Sequence, residues 1–178
     1  MKFLLSLSFV LLSLSSYSQK LIHEKDEFKK KEYSRTEWDV LLKKSIVLTN
    51  SIKYSLVKYS DSIYINAKII LDGGNKVFAV RDNEELLLLL DNDETVTLKN
   101  SKYTVSSEGG ASSGLIGGSK YGLTLLYYFA NQKDIRNLVK SPIKKVRIYT
   151  NEGYLEGDIS KKNSRHFAQN LKLILSSH

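Results

Sequence analysis

Alternation of apolar and polar residues around a short polar turn is the feature that most restricts the fold of this chain. Ile52, Tyr54 and Leu56 alternate with polar residues, and the alternation resumes after a polar turn at residues 60–62. Such a period of two places successive side chains on opposite faces of a strand. Residues 51–71 are therefore predicted to form a β-hairpin.

Further short strands are predicted along the chain. The five consecutive leucines of residues 86–90 lie between acidic turns, and the shortness of the run favours a strand buried on both faces over a helix. Residues 36–42 fit either a short helix or the end of a strand. Strand-forming residue types predict further strands over residues 76–81, 95–98, 102–106, 123–130, 144–150 and 154–159.

Two helices are predicted near the C-terminus. Residues 131–140 have apolar residues at helical spacing, with Asn131 as the N-cap. Ser160 is predicted to cap a second helix, which we expect to pack on the hairpin of residues 144–159. Its apolar stripe consists of Phe167, Leu171, Ile174 and Leu175. Many antiparallel strands with a short helix and a C-terminal helix define an α+β domain, mainly an antiparallel sheet that is sandwich-like or barrel-like.

The N-terminus has the layout of a secretory signal peptide. Lys2 precedes an apolar run at residues 3–14, and small residues then occupy positions 16 and 18, ahead of Gln19. The run is too short to cross a bilayer, which needs about 20 apolar residues. We therefore expect a periplasmic or secreted protein with a signal peptide at residues 1–18, a flexible arm at 19–31 and one domain at 32–178.

Cysteine content and charge exclude several classes of protein. The chain has no cysteine, so it has no disulfide and no thiolate metal site. It also lacks the cysteine that a lipoprotein anchor needs, and we expect no transmembrane segment after processing. The formal net charge of +8 comes from lysines spread along the chain. That spread indicates a solvated basic surface, with weak attraction to anionic envelope surfaces as the alternative. The lack of an arginine-rich stripe and the exported address argue against a nucleic-acid partner.

One motif matches a catalytic pattern. The sequence Gly-Ala-Ser-Ser-Gly around Ser112 fits G-x-S-x-G, and Asp134 or Asp158 and then His166 follow in the order of hydrolase triads. The motif needs a buried strand before the serine and a helix after it, whereas a glycine-rich run follows Ser112. A mobile loop over residues 106–122 is the prediction, and a small serine hydrolase using Ser112 is the alternative function.

Neither metal nor cofactor binding is predicted. Acidic residues cluster at 82–85 and 91–94 without the spacing of a calcium loop, and turn chemistry accounts for them. The three histidines have no partner at a metal-ligand spacing. Lys120 follows glycine and serine but precedes a predicted strand, whereas a phosphate loop precedes a helix. We expect no catalytic, cofactor-binding or metal-ligating residue and no cofactor.

Tyrosines suggest a binding surface. Most of the 11 tyrosines fall in predicted strands, where strand propensity accounts for them. Rings with an apolar body and a polar tip, exposed on one sheet face, would also suit a sugar or a peptide.

The chain resembles small exported proteins of Bacteroidota. The resemblance rests on residues 86–98 and 146–159, on the Glu37-Trp38 pair and on the Tyr-Ser-Gln junction at residues 17–19. It implies export and a single domain, and since that group has no assigned activity it implies no catalytic residue. We expect a non-enzymatic exported domain, a binding or envelope-associated module whose partner is a protein, a glycan or an envelope component.

Overall fold

The computed structural model describes residues 20–27, 31–44, 50–72, 77–108 and 120–177, which are mostly strands. The strands are β1 (Leu21–Asp26), β2 (Lys31–Thr36), β3 (Asp39–Lys43), β4 (Ser51–Tyr59), β5 (Ser62–Asp72), β6 (Ala79–Val80), β7 (Glu85–Leu90), β8 (Thr95–Asn100), β9 (Thr104–Val105), β10 (Ser107–Glu108), β11 (Lys120–Phe129), β12 (Ile143–Thr150) and β13 (Gly153–Asp158). The helices are α1 (Gln132–Lys140) and α2 (Lys161–Leu175).

Eleven of the described strands form one sheet. Its order is β1-β2-β4-β5-β11-β8-β7-β12-β13, with β3 also paired to β4 and β10 also paired to β11, while β6 and β9 form a separate pair. All pairings between described strands are antiparallel. The predicted α+β class is confirmed, with a short helix, a C-terminal helix and a sheet that is not closed.

The predicted hairpin of residues 51–71 is confirmed as β4 and β5. Tyr59 pairs with Ser62 across the turn, and Ser60 takes a left-handed φ of 50° there. Directly opposite residues share a face, so Leu56 and Ile65 meet on the inner face and both are buried. Period-two alternation thus produces one apolar face, which forms the core.

The sheet bends around that core. Gly157 in β13 lies against Leu42 in β3, and a Cβ added at Gly157 would meet Leu42 Cδ1 at 2.7 Å. These two strands lie near opposite ends of the strand order. Their approach shows that the sheet curls until its two ends almost meet. A side chain at residue 157 would require the side chain of Leu42 to move.

The C-terminal helix packs on the opposite end of the sheet from the one predicted. α2 lies mainly against β2, β3, β4 and α1, because the bend brings those strands across from the end of β13. Phe167, Leu171 and Ile174 are fully buried as predicted, and the Phe167 ring centre lies 4.8 Å from that of Tyr54. The prediction that Leu175 belongs to the buried stripe is wrong: it is 43% exposed, because it ends the helix and lies off the buried face.

The leucine run forms a strand, as predicted, but it is not buried on both faces. Burial alternates along β7, and only Leu86, Leu88 and Leu90 lie fully in the core. Leu87 and Leu89 are half-buried on the outer face, opposite Arg147 and Lys145. The stems of such long side chains partly cover apolar neighbours, while the charged ends stay in water.

The segment predicted as a flexible arm contains a strand. Residues 21–26 form β1 and pair with β2 along their whole length. Arg35 Nε donates to Glu24 Oε1 at 2.7 Å, and the hydroxyl of Tyr33 donates to the other oxygen of the same carboxylate. These contacts join the two strands through charged and polar groups, which is why the apolar pattern did not reveal them.

Other predicted segments differ from the structure in extent, and one segment that had two alternatives is a strand. The strands predicted over residues 76–81 and 102–106 shorten to β6 and β9, a pair of two residues each. The predicted loop over residues 106–122 begins and ends in strands β10 and β11, and residues 109–119 lie outside the described part of the chain. Residues 36–42, for which a helix and a strand were both possible, belong to strands: β2 ends at Thr36 and β3 begins at Asp39.

Candidate functional site

An apolar cleft lies where the end of α1, the start of β12 and the first turns of α2 come together. Its volume is about 720 Å³. Two chain reversals build it: one leads from α1 into β12, and the other leads from β13 into α2. The apolar side chains that line it are Leu138, Val139, Pro142, Ile143, Ile159 and Ala168.

Local sequence features fix where the elements that line the cleft begin and end. Asn131 caps α1 by accepting from the backbone N–H of Lys133 at 2.9 Å, as predicted. Pro142 follows the helix end, because proline cannot continue a helix. Ser164 in α2 then accepts from the backbone N–H of Ile143 at 2.8 Å, and this buried bond joins α2 to the start of β12. This hydrogen bond fixes two walls of the cleft, α2 and the start of β12, relative to each other.

The rim of the cleft is predominantly basic. Lys144 Nζ lies 3.4 Å from Asp93 Oδ1 in an exposed ion pair. The side chains of Lys140, Lys161 and Arg165 make no ion pair or hydrogen bond with any residue that the structure describes. The charged residues lining the cleft are the cations Lys140, Lys144, Lys161 and Arg165 and the carboxylates Asp91 and Asp158.

The first turn of α2 has the opposite charge from the one that a helix N-terminus favours. The backbone there carries a partial positive charge, which favours acidic side chains. Instead, the first turn has no acidic residue and begins with Lys161 and Lys162, with Arg165 one turn further along. Unpaired cations therefore accumulate at the positive end of the helix dipole, beside the apolar cleft.

A second, more polar cavity of about 530 Å³ lies at the β1–β2 hairpin. Several of its polar groups already have partners: His23 Nδ1 and Ser34 Oγ lie 2.9 Å apart, and Lys58 donates to the backbone oxygen of Ser177, outside the cavity lining. The bond from Arg35 holds the pKa of Glu24 below its ordinary value, and the bond to Glu24 raises the pKa of Tyr33 to about 12. Because these polar groups already have hydrogen-bond partners within the protein, we interpret the cluster as structural.

Among the described residues of the alternative hydrolase, neither Asp134 nor Asp158 is hydrogen-bonded to His166. Ser112 lies outside the described residues. His166 Nδ1 lies 3.2 Å from Asp39 Oδ2, so its carboxylate partner is Asp39 rather than Asp134 or Asp158. This pair links α2 to β3.

Described tyrosines lie on both faces of the sheet. Tyr54 and Tyr127 lie fully buried on the inner face. On the outer face, the ring centre of Tyr59 lies 4.9 Å from that of Tyr33 and 5.9 Å from that of Tyr64. These rings pack on one another as cross-strand pairs, which accounts for them without a ligand.

Among the described residues, no group of three or more His, Cys, Asp or Glu side chains is placed to hold a metal ion. Neither helix in the same part of the chain is long and apolar enough to cross a membrane.

Comparisons with models of protein families, with curated proteins and with solved structures found no match. The functional conclusion therefore rests on the chemistry of the cleft.

Sequence reasoning missed this site, although one signal pointed to it. The basic residues that follow Ser160 contradict the usual preference for acid at a helix start, and such local contradictions are expected at functional sites.

Proposed function

We propose that this protein is an exported, non-enzymatic binding domain whose ligand occupies the apolar cleft between α1, β12 and α2. The observation that carries the proposal is the cleft itself, about 720 Å³ with a mainly apolar lining and a few charged groups at the rim. Ligand-binding clefts typically have volumes of about 300–1,000 Å³ and this kind of lining. Of the partner classes that the sequence suggested, an envelope component with an apolar part suits the cleft best.

The N-terminal sequence supports export. Residues 1–18 have the charged, apolar and small-residue order of a signal peptide, and the resemblance to exported Bacteroidota proteins agrees with it. We expect N-terminal sequencing of protein from its native host to begin at Gln19, in the periplasm or the medium. Cytoplasmic protein that retains Met1 would contradict export.

The fold argues against a hydrolase that uses Ser112. A G-x-S-x-G nucleophile belongs to a strand-to-helix turn in an α/β-hydrolase sheet. All pairings between described strands in this chain are antiparallel, and both described helices come after β11. The fold thus differs from the one in which that motif is catalytic.

Binding in the cleft is tested by filling it. An uncharged fluorescent naphthylamine, which brightens in apolar surroundings, is titrated with the mature protein and with two tryptophan variants. Ala168 lines the cleft, so Ala168→Trp is expected to weaken probe binding at least tenfold. Gln169 is the matched control, because it is exposed on the same helix and does not line the cleft.

The comparison of the two variants decides the proposal. We expect Gln169→Trp to bind the probe as the unmodified protein does. Equal binding by Ala168→Trp and the unmodified protein, with both variants folded by circular dichroism, would show that the cleft is not the site. Absence of probe binding by the unmodified protein would contradict the proposed function altogether.

A further inference from the structure

We infer that the ligand of the cleft is a single-chain anionic amphiphile, such as a long-chain carboxylate, with its charged group at the basic rim. This inference rests on the proposed function and adds the chemistry of the ligand. Three observations support it: the charge of the rim, its position at the start of α2 and the volume of the cleft.

The charge of the rim selects an anion. Four cations and two carboxylates line the cleft, and three of the cations have no partner among the described residues. The fourth, Lys144, holds only an exposed pair with Asp93. Exposed pairs contribute little, so an incoming anion can replace this one readily. A cationic or uncharged ligand would leave the excess positive charge uncompensated.

The position of these cations strengthens the preference of the cleft for an anion. Lys161 and Arg165 lie in the first two turns of α2, where the backbone is already partly positive. An anionic group placed there meets the side-chain charges and the helix dipole together. The apolar side chains of Ile143 and Ile159 line the same cleft, so an alkyl chain can lie beside them while its charged end stays at the rim.

The volume of the cleft fits one alkyl chain. At about 30 Å³ per carbon, close to the share of one water molecule in the liquid, a chain of 12–16 carbons needs roughly 360–480 Å³. The cleft offers about 720 Å³. Two chains of 16 carbons would need roughly 960 Å³ on the same basis. The cleft therefore has room for one such chain but not for two chains of 16 carbons, which favours a single-chain amphiphile over a long-chain phospholipid.

The test compares ligands that differ only in the headgroup. Dodecanoate, dodecanol and dodecylamine compete with the naphthylamine probe for the mature protein at pH 8 and low ionic strength. We expect dodecanoate to bind about tenfold more tightly than dodecanol, and dodecylamine to bind more weakly than either. Added salt should reduce the advantage of dodecanoate, because ions screen exposed charges. Equal affinity for dodecanoate and dodecanol would overturn the inference while leaving the proposed function intact.

Variants locate the headgroup. Lys161→Gln with Arg165→Gln is expected to reduce the preference for dodecanoate over dodecanol to less than threefold. The control, Lys162→Gln with Lys172→Gln, removes the same charge from exposed positions on α2 outside the cleft lining, and it should keep the preference. Equal losses in both double variants would assign the effect to overall charge and overturn the inference.

Vesicles distinguish a bound amphiphile from a membrane surface. The protein is sedimented with vesicles of phosphatidylglycerol, and we expect it to stay in the supernatant while it binds monomeric dodecanoate. Sedimentation with the vesicles together with no affinity for dodecanoate would overturn the inference in favour of membrane docking. Failure of the probe and of all three amphiphiles would instead refute the proposed function.

Discussion

Two buried tyrosines allow a controlled test of how α2 is held in the sheet. Asn170 in α2 donates through Nδ2 to the hydroxyl of Tyr54 in β4 at 2.8 Å, and both residues are buried. Tyr127 in β11 is equally buried, but its hydroxyl has no hydrogen-bond partner in the described part of the chain. Burial raises the pKa of both tyrosines above the ordinary value, so both are uncharged phenols at pH 7. Mutation to Phe removes the same atom at each position.

The two substitutions should change stability in different directions. Tyr54→Phe leaves the amide of Asn170 buried without this partner, which is expected to reduce the free energy of unfolding by about 1–3 kcal/mol. Tyr127→Phe removes a buried hydroxyl that forms no bond among the described residues, so stability should be unchanged or increase by up to about 1 kcal/mol. For a domain of this size, 1 kcal/mol corresponds to about 2–4 °C in melting temperature.

Urea denaturation followed by fluorescence of Trp38, the only tryptophan, measures both changes. A third variant, Tyr54→Phe with Asn170→Leu, removes both partners of the bond. The double variant should lose less stability than the sum of the losses from Tyr54→Phe alone and Asn170→Leu alone, because the two residues are in contact. If Tyr54→Phe and Tyr127→Phe differ by less than about 0.5 kcal/mol, the ordinary error of additivity, the bond does not hold α2 in place.

Three further predictions concern the core, the meeting of the sheet ends and the motif serine. Phe167→Ala should lower the free energy of unfolding by about 3–5 kcal/mol, with exposed Gln169→Ala within about 0.5 kcal/mol of the unmodified protein in urea melts; equal effects would mean that α2 is not docked. Gly157→Val should cost about 1–3 kcal/mol by overpacking against Leu42, and the double variant with Leu42→Ala should lose less in thermal melts than the sum of the two single losses, because the two residues are in contact. The mature protein should not react with a fluorophosphonate probe, and labelling that Ser112→Ala abolishes would establish the hydrolase instead.

Signals that act over a few residues allowed part of the fold to be predicted. The alternation in β4 and β5 arises because successive side chains leave opposite faces of a strand. Asn131 and Ser160 are recognisable because a cap must accept a hydrogen bond from the first turn of its own helix. The hairpin of β1 and β2 lacks such a signal, since charged and polar side chains join it across the strands.

The candidate site was less accessible to sequence reasoning. The basic start of α2 can be read from the sequence as an exception to the usual charge preference. That Lys140 at the end of α1 and Arg165 in α2 share one cleft depends on how the two helices meet. The sequence separation of these residues does not reveal that they are neighbours.

The sequence alone determined the predominance of strands, the two late helices and which residues of α2 are apolar, because each depends on local periodicity or on a cap. The tertiary structure decided what α2 packs against. The sheet curls until Gly157 meets Leu42, and this curvature brings β2, β3 and β4 opposite the end of β13. Curvature is the sum of the twist and bend of many paired strands, so no single segment encodes it. The cleft between α1, β12 and α2 exists only because the curvature of the sheet places the end of α1 beside the start of α2.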